Sequence, residues 1–283
     1  MKNSLTRIFG KDRNIIIGAI HLPPLLGHSD FPGFEKAVAN ALADLEAFEG
    51  GGADAVLFEN NYDHPHYEIV PASVAVAMRH IGEVIVRSAK KVPVGVSVLW
   101  NDYRTALGLA KTLGLAFVRI PVFVDDVKTS YGVFRGKARE VIRHRRALGA
   151  EGVAVFSDVH VKHARILSKH TLAQSARLAV KRDADALIVT GNWTGDAPNM
   201  DDLKTAREAV ADFPILIGSG LDRKNCGLLF RYANGAIVGT SVKDGGKRKE
   251  EVNVKGYDQR ISRKKVRELI SAANRSKQLH AGK

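Results

Sequence analysis

In the stretch "SDVHVKHA" (157–164) a carboxylate, an imidazole and an amine alternate with two valines. Successive side chains of an extended segment point to opposite faces, so Asp158, His160 and Lys162 would share one side and Val159 and Val161 the other. Such a set can serve as general acid and base, or as a base beside an electrostatic partner. A structural ion pair with a loop histidine is the plainer alternative. A second stretch, "LFENNYDHPHYE" (57–68), supplies Glu59, Asp63, His64 and His66. Glu59 directly ends an apolar run, which makes it a catalytic candidate together with Asp158 and His160. Carboxylates beside imidazoles also suit divalent ions, so a metal remains an option there. The spacing matches no specific metal motif, however, and no cofactor is otherwise indicated.

Further polar residues follow apolar runs in the same way: His21 in "IHLPPLLG", Asn101 in "VLWNDYRTA", Arg119 in "FVRIP", and Thr190 and Asn192 in "IVTGN". With Lys162 they form the expected substrate-binding set. An amide at Asn101 can orient a substrate oxygen, although Asp102 beside it suits a helix N-cap. A guanidinium at position 119 requires an anion, either a ligand group or a neighbouring acid such as Glu59. Two glycine turns complete the inventory, "ILIGSGLDRKN" (215–225) and "AIVGTSVK" (236–243). Glycine lets the backbone approach an oxyanion, and main-chain N–H groups at a helix start donate to it. Gly218, Ser219 and Gly220 would form one half of a phosphate cradle. Gly239, Thr240 and Ser241 would form the other, with Lys243 adding charge. Tight-turn packing is the competing explanation. No G-x-S-x-G elbow occurs and Cys226 stands apart from these groups, which disfavours serine or cysteine nucleophilic hydrolysis.

The elements needed to position these groups are legible as an alternation. Strands are expected at Ile15–Ile20, Ala55–Phe58, Val94–Leu99, Ala116–Ile120, Val153–Ser157, Ala186–Val189, Ile215–Ile217 and Ala236–Val238. Most are near-continuous Val, Ile, Leu and Ala, as parallel strands covered on both faces require. Amphipathic stretches lie between them at Glu35–Glu49, Ser73–Ala89, Thr105–Leu113, Ala138–Leu148, Thr171–Val180 and Leu203–Val210, with a last helix at Arg263–Ala273. The segments "GGADAVLFEN", "TLGLAFVRIP", "LGAEGVAVFSD", "KRDADALIVTG" and "YANGAIVGTS" repeat one form, a turn, a small residue, an apolar run and then polar residues. Eight β-then-α units predict an α/β fold, a single (β/α)8 TIM barrel spanning residues 1–283, with a basic C-terminal helix and tail from about 260. "IGAIHLPPLLG" lacks the G-x-G-x-x-G that a dinucleotide-binding sheet carries after its first strand. In a barrel the polar residues above fall at the C-terminal strand ends, and the glycine turns close strands seven and eight, where many barrels bind phosphate.

Composition narrows the setting. The chain has 283 residues, 45% hydrophobic, with one cysteine, so no intrachain disulfide can form. A reduced, cytoplasmic protein is expected. The N-terminus has no signal-peptide pattern, and no apolar run is long enough for a transmembrane segment. A homo-oligomer is expected. The net charge of +13 would fit nucleic acid, an acidic membrane surface or anionic small substrates. The basic clusters at Arg143–Arg146, Lys243–Lys255 and Arg260–Lys283 carry no nucleic-acid motif and read first as solvated faces and a basic tail.

Taken together, "GAIHLPPLLG", "ADAVLFENNYD", "GVSVLWND", "FVRIPVF", "FSDVHVKHA", "IVTGNWTG", "GSGLDRKN" and "AIVGTSVKDGG" resemble the BtpA family, which includes SgcQ-type proteins, over nearly the whole chain. The most specific of these are "DVHVKHA", "TGNWTG" and "VGTSVK". The resemblance implies a (β/α)8 barrel related to phosphate-binding barrels such as phosphoribosylanthranilate isomerase. It also implies two kinds of role, since name-giving members are linked to photosystem I accumulation and others sit among sugar-uptake genes. This chain departs from the family pattern at Asn61–His66, at Trp100, in "VDDVK", and in the basic loop at 247–253. The expected function is therefore an enzyme, an isomerase, lyase or glycosidic-bond enzyme acting on a small phosphorylated sugar- or nucleoside-like ligand. The alternatives are a non-catalytic assembly or stability factor that binds a protein or membrane complex, and nucleic-acid binding through the basic tail.

Overall fold

The computed structural model describes residues 4–245 and 255–281, so the expected basic loop at 247–253 lies outside the described residues. Eight parallel strands close into a barrel: β1 (Ile15–His21), β2 (Ala55–Glu59), β3 (Val94–Ser97), β4 (Phe117–Ile120), β5 (Ala154–Val159), β6 (Ala186–Val189), β7 (Ile215–Ile217) and β8 (Gly235–Val238). Strand β8 pairs back onto β1, with Ile15 opposite Gly235 and Gly18 opposite Val238. The expected (β/α)8 barrel is the observed fold. Seven of the sixteen strand ends shift by one or two residues, and the others lie as expected. β3 stops at Ser97 because the backbone of Leu99 is held by a side chain instead of a ladder, with Asn60 Oδ1 accepting from its N–H at 2.7 Å and Asn60 Nδ2 donating to its carbonyl at 3.1 Å.

Alternation along the strands sorts the core into two layers. One parity faces outward, where residues such as Ile16, Val56, Val96, Val118 and Val155 pack under the helices. The other fills the barrel with Ile15, Ile17, Ala55, Leu57, Phe117, Phe156, Ile188 and Leu216. An additional helix, Ser4–Phe9, plugs the lower end. Its Leu5 is fully buried, and its Phe9 meets Phe117 edge-on at 6.0 Å. Phe117 in turn stacks on Phe156 at 4.8 Å.

The outer layer comprises helices at Phe34–Gly51, Ala72–Ser88, Tyr103–Leu113, Ala138–Ala147, Leu172–Lys181, Met200–Val210 and Arg263–Ala281, with a single turn at Cys226–Leu229. Local chemistry sets several starts. Asp102 caps the third by accepting from the Thr105 N–H at 3.0 Å, and Thr171 with Gln174 forms a full capping box. The last helix runs beyond the expected Ala273, since no breaker intervenes before Gly282. It closes on Phe34–Gly51 through a glycine contact, where a Cβ on Gly51 would come within 2.5 Å of Val266.

One feature was not expected. Between β4 and β5 the chain forms a hairpin from Val127–Thr129 and Gly132–Phe134, joined by Arg165–Ile166 into a small antiparallel sheet. Val127 and Phe134 pack with Trp100, Val122 and Val161 as a separate cluster.

Two glycines test this packing from opposite sides. A Cβ on Gly95 would lie 2.3 Å from the ring of Phe117, which Phe9 and Phe156 hold in place. Gly95→Ala is expected to destabilise by about 1–3 kcal/mol through overpacking. Gly108 lies within the helix Tyr103–Leu113 with none of the described residues within 4 Å of its added Cβ, so Gly108→Ala is expected to stabilise by about 0.5–1 kcal/mol. Urea unfolding of both variants checks the pair.

Candidate active site

The inward parity of each strand continues upward until the apolar filling ends. Above Ile17 and Ala19 comes His21, above Leu57 comes Glu59, above Phe117 comes Arg119, and above Phe156 comes Asp158. The same rule places Gly218 above Leu216 and Gly239 above Ile237. Chain positions far apart thus converge on one ring at the C-terminal mouth, because every strand runs in the same direction.

The charged members form a continuous chain across that mouth. Register sets His21 opposite Glu59, and His21 Nε2 lies 3.2 Å from Glu59 Oε1. Glu59 Oε2 is 3.7 Å from Arg119 Nη1 and has no hydrogen-bond donor among the described residues. Arg119 grips Asp158 with two bonds, Nε to Oδ1 at 2.9 Å and Nη2 to Oδ2 at 2.8 Å. All four side chains are buried. Burial by itself would push the Glu59 carboxyl up. The hydrogen bond from His21 and the charges of His21, Arg119 and Lys162 outweigh it and hold the carboxyl at about 2. Burial lowers the His21 imidazole against the pull of Glu59, whose carboxylate lies within hydrogen-bond reach of its Nε2. Arg119 is held protonated, since Asp158 more than offsets its desolvation.

Lys162 reaches the same space from the loop after β5. Its amine is lowered to about 8, first by burial and then by repulsion from Arg119, with Glu59, Asp158 and Asp196 pulling the other way. An amine so poised can give or take a proton near neutral pH. The expected alternation over 158–162 does not carry it there. β5 ends at Val159, and His160 adopts a left-handed φ of 50°, which breaks the two-residue period. His160 instead borders a neighbouring cavity with Thr190 and Asn192. Thr190 Oγ1 accepts the Lys162 main-chain N–H at 3.0 Å, and the Asn192 carbonyl accepts that of His163 at 3.1 Å. These two residues hold the Lys162 loop in place. Asn101 clamps both main-chain groups of Val122 at 2.9 and 2.8 Å.

The two glycine turns border a cavity of about 210 Å³ that also touches His21, Glu59, Arg119 and Lys162. Gly218 supplies close approach and not a donor, because its N–H is bonded to the Val189 carbonyl at 2.9 Å. Ser219 donates its hydroxyl to the Asp196 carbonyl at 2.8 Å. Gly220 is left-handed at φ 72°, and a Cβ there would strike Ala197, so the loop after β6 closes directly over this turn. Gly239, Thr240 and Ser241 form the opposite wall. Lys243 lies outside this lining. Its buried amine sits 3.2 Å from the Tyr62 hydroxyl and 5.3 Å from the ring centroid, and burial lowers it to about 8.

Among the described residues no group of three or more His, Cys, Asp or Glu could hold a metal ion. Asp63, from the stretch that raised the metal option, instead accepts from Asn60 and from the Leu25 N–H. No helix among them is long and apolar enough to cross a membrane.

The sequence pattern of the BtpA family matches residues 12–275. The chain belongs to the BtpA family. It is 37% identical to the photosystem I biogenesis protein BtpA of Synechocystis over 85% of this chain and 84% of that protein. It is 35% identical to an uncharacterized protein of Pyrococcus furiosus, covering 82% and 87% of the two chains. Among solved structures it is similar to N-(5'-phosphoribosyl)anthranilate isomerase of Pyrococcus furiosus, with a TM-score of 0.53 at 14% identity over 93% and 99% of the chains. A Schiff base-forming fructose-1,6-bisphosphate aldolase matches with a TM-score of 0.54 at 17% identity over 95% and 98%. At these identities the likeness is one of fold.

In this BtpA-family barrel several lining residues escaped sequence reasoning. Asn61 and Thr194 border the cavity beside Glu59 and Lys162, and Tyr131 reaches over the mouth from the hairpin tip, its hydroxyl 2.8 Å from His64 Nδ1. The hairpin had a signal in "VKTSYGVF", two short β-rich runs around a glycine-containing turn.

Two predictions follow from the charge array. Arg119→Met leaves Asp158 and Glu59 buried without their cation and is expected to cost about 3–5 kcal/mol in urea unfolding, with Arg119→Met/Asp158→Leu less destabilised than the sum of its parts. Lys162 titrates at about 8 folded and near 10.4 unfolded, so across that window the unfolded chain holds more protons and stability rises with pH. Lys162→Met is therefore expected to stabilise by on the order of 2 kcal/mol near neutral pH, an advantage that shrinks as pH approaches about 10. Paired unfolding curves at the two pH values measure it.

Proposed function

We propose that this BtpA-family barrel is an enzyme that binds a small phosphorylated ligand at the turns after β7 and β8 and moves a proton on it at the barrel mouth. One observation carries the reading: a single cavity of about 210 Å³ is bordered at once by both glycine turns, by Glu59 and by the two cations Arg119 and Lys162. A dianionic group would sit against Gly218–Gly220 and Gly239–Ser241, where small residues allow close approach and main-chain N–H groups other than that of Gly218 can donate. Arg119, preset by Asp158, would supply the positive field. The reacting part of the ligand would then lie beside Lys162 and Glu59.

The ionisation states favour a division of labour. A carboxylate held at about 2 is a weak base and a strong electrostatic partner. An amine at about 8 has a proton to exchange. Lys162 is therefore the proton-handling group, and Glu59, fixed by His21, stabilises the positive charge that develops beside it. This chemistry suits an isomerase, a lyase or a glycosidic-bond reaction. Asp158 acts as a positioning residue for Arg119.

A scaffold role is the second reading, favoured by the likeness to the photosystem I biogenesis protein of Synechocystis. It accounts less well for four buried ionisable groups around an open cavity, whose desolvation a pure docking barrel has no reason to bear.

Thermal shift with ribose 5-phosphate against ribose tests the proposal. Stabilisation by the phosphate ester alone is expected. It should vanish in Gly239→Ala, whose Cβ would stand 3.0 Å from His21 at the cavity wall. Equal responses to ribose and ribose 5-phosphate would sink the reading.

A further inference from the structure

Beyond Lys162 the mouth opens into a second chamber of about 290 Å³, which shares Glu59, Asn61, Arg119, Lys162 and Thr194 with the cradle cavity. Its remaining walls are of a different kind. Trp100, Trp193, Tyr131, His64, His66 and His163 surround it with flat rings. These rings are locked against each other: His66 meets Tyr131 edge-on at 5.1 Å, His64 stacks on Tyr131 at 6.1 Å, and His163 meets Trp193 at 5.2 Å. Such a box recognises a flat partner by its faces.

The chamber is also electrically neutral away from the shared residues. Burial, reinforced by the neighbouring His64, lowers His66 to about 3. Burial together with the charges of Lys162 and Arg119 lowers His163 to about 4. Neutral imidazoles offer either a donor or an acceptor to a ligand, depending on tautomer. Two of their nitrogens are unmet. His66 is only 7% exposed, yet its Nδ1 has no hydrogen-bond partner among the described residues. The Nδ1 of His163 is likewise buried and unpartnered, while its Nε2 is engaged by the Thr194 hydroxyl at 2.8 Å. Most buried polar atoms in native proteins are satisfied, so two unmet nitrogens on rings that line the chamber leave hydrogen-bonding capacity there for a ligand's own polar edge.

We propose that this chamber takes an uncharged heteroaromatic ring belonging to the same ligand whose phosphate lies in the cradle, which makes the substrate class nucleotide-like: a phosphorylated sugar carrying a flat nitrogenous ring. The proposal rests on the cradle reading above and adds what occupies the other end. The ring lies between Tyr131, Trp100 and Trp193, its edge meets His66 and His163, and the linking sugar passes Glu59 and Lys162. Away from Arg119 and Lys162, which face the cradle phosphate, the lining adds no lysine or arginine for a second phosphate, and its flat walls suit a ring better than a simple sugar.

The chain carries only two tryptophans, and both line this chamber, so intrinsic fluorescence reports its occupancy. The full chain is titrated with adenosine, with adenosine and uridine 5'-monophosphates, and with ribose 5-phosphate, reading fluorescence and calorimetry together. Quenching by at least one nucleotide is expected, with about tenfold tighter binding than ribose 5-phosphate, which itself binds without quenching. The exposed Trp193→Ala and the buried His66→Phe are both expected to weaken nucleotide binding about tenfold while leaving ribose 5-phosphate unchanged. Trp193→Ala keeps the test valid should the buried variant fail to fold. If nucleosides bind as tightly as nucleotides, the chamber stands and the cradle reading falls. If ribose 5-phosphate binds as tightly as both nucleotides, or if no nucleoside or nucleotide quenches at millimolar concentration, the chamber proposal is overturned.

Discussion

A guanidinium inside a barrel must be matched by carboxylate, and the buried grip of Arg119 on Asp158 is the constraint around which this mouth is arranged. Desolvating an arginine and an aspartate is costly, and only two well-aligned bonds at 2.9 and 2.8 Å make the arrangement tolerable. Once both Asp158 oxygens are engaged, the remaining guanidinium face turns toward Glu59 at 3.7 Å. Glu59 in turn holds His21. Burial lowers Lys162 and His163, and the field left over from Arg119 lowers both further. One pair therefore contributes to the charge state of Glu59 on β2 and of Lys162 and His163 in the loop after β5.

The cavities on either side of this array differ in kind. Toward β7 and β8 the wall is main chain and small side chains, suited to close polar contact. Toward the hairpin the wall is aromatic and held neutral. The loops that build the two ends are themselves pinned by unobtrusive polar residues. Asn60 holds Leu99, Asn101 holds Val122, and Thr190 holds Lys162. These amides and hydroxyls act on backbone, which is how a barrel fixes irregular loops over a regular sheet.

The continuous apolar runs of β1 to β8 follow from the burial of parallel strands on both faces, a requirement that each segment meets by itself. The small residues that end β7 and β8, and the polar residue that closes most other strands, are equally local features. For that reason the barrel, the convergence of Glu59, Arg119 and Lys162 at one rim, and the BtpA resemblance were all legible in the residues. Two-residue alternation was a sound guide only while the backbone stayed extended. It placed Asp158 correctly on the inner face and failed two residues later, where His160 turns left-handed at φ 50°.

What the sequence by itself determined was the set of elements, their order and the chemistry offered at their ends, since these depend on neighbours within a few residues. Which groups meet was decided by closure of the barrel. Pairing His21 with Glu59 is a matter of register between strands 38 residues apart, and nothing local sets it. The bond of Arg119 to Asp158 took an acid that sequence spacing had assigned to proton transfer. The burial of Lys243 under Tyr62 removed an expected member of the cradle, and the hairpin at 127–134 brought Tyr131 to His64 and His66. Contacts of this range are fixed by the geometry of eight strands sharing one axis, so only the tertiary structure could assign each residue its partner.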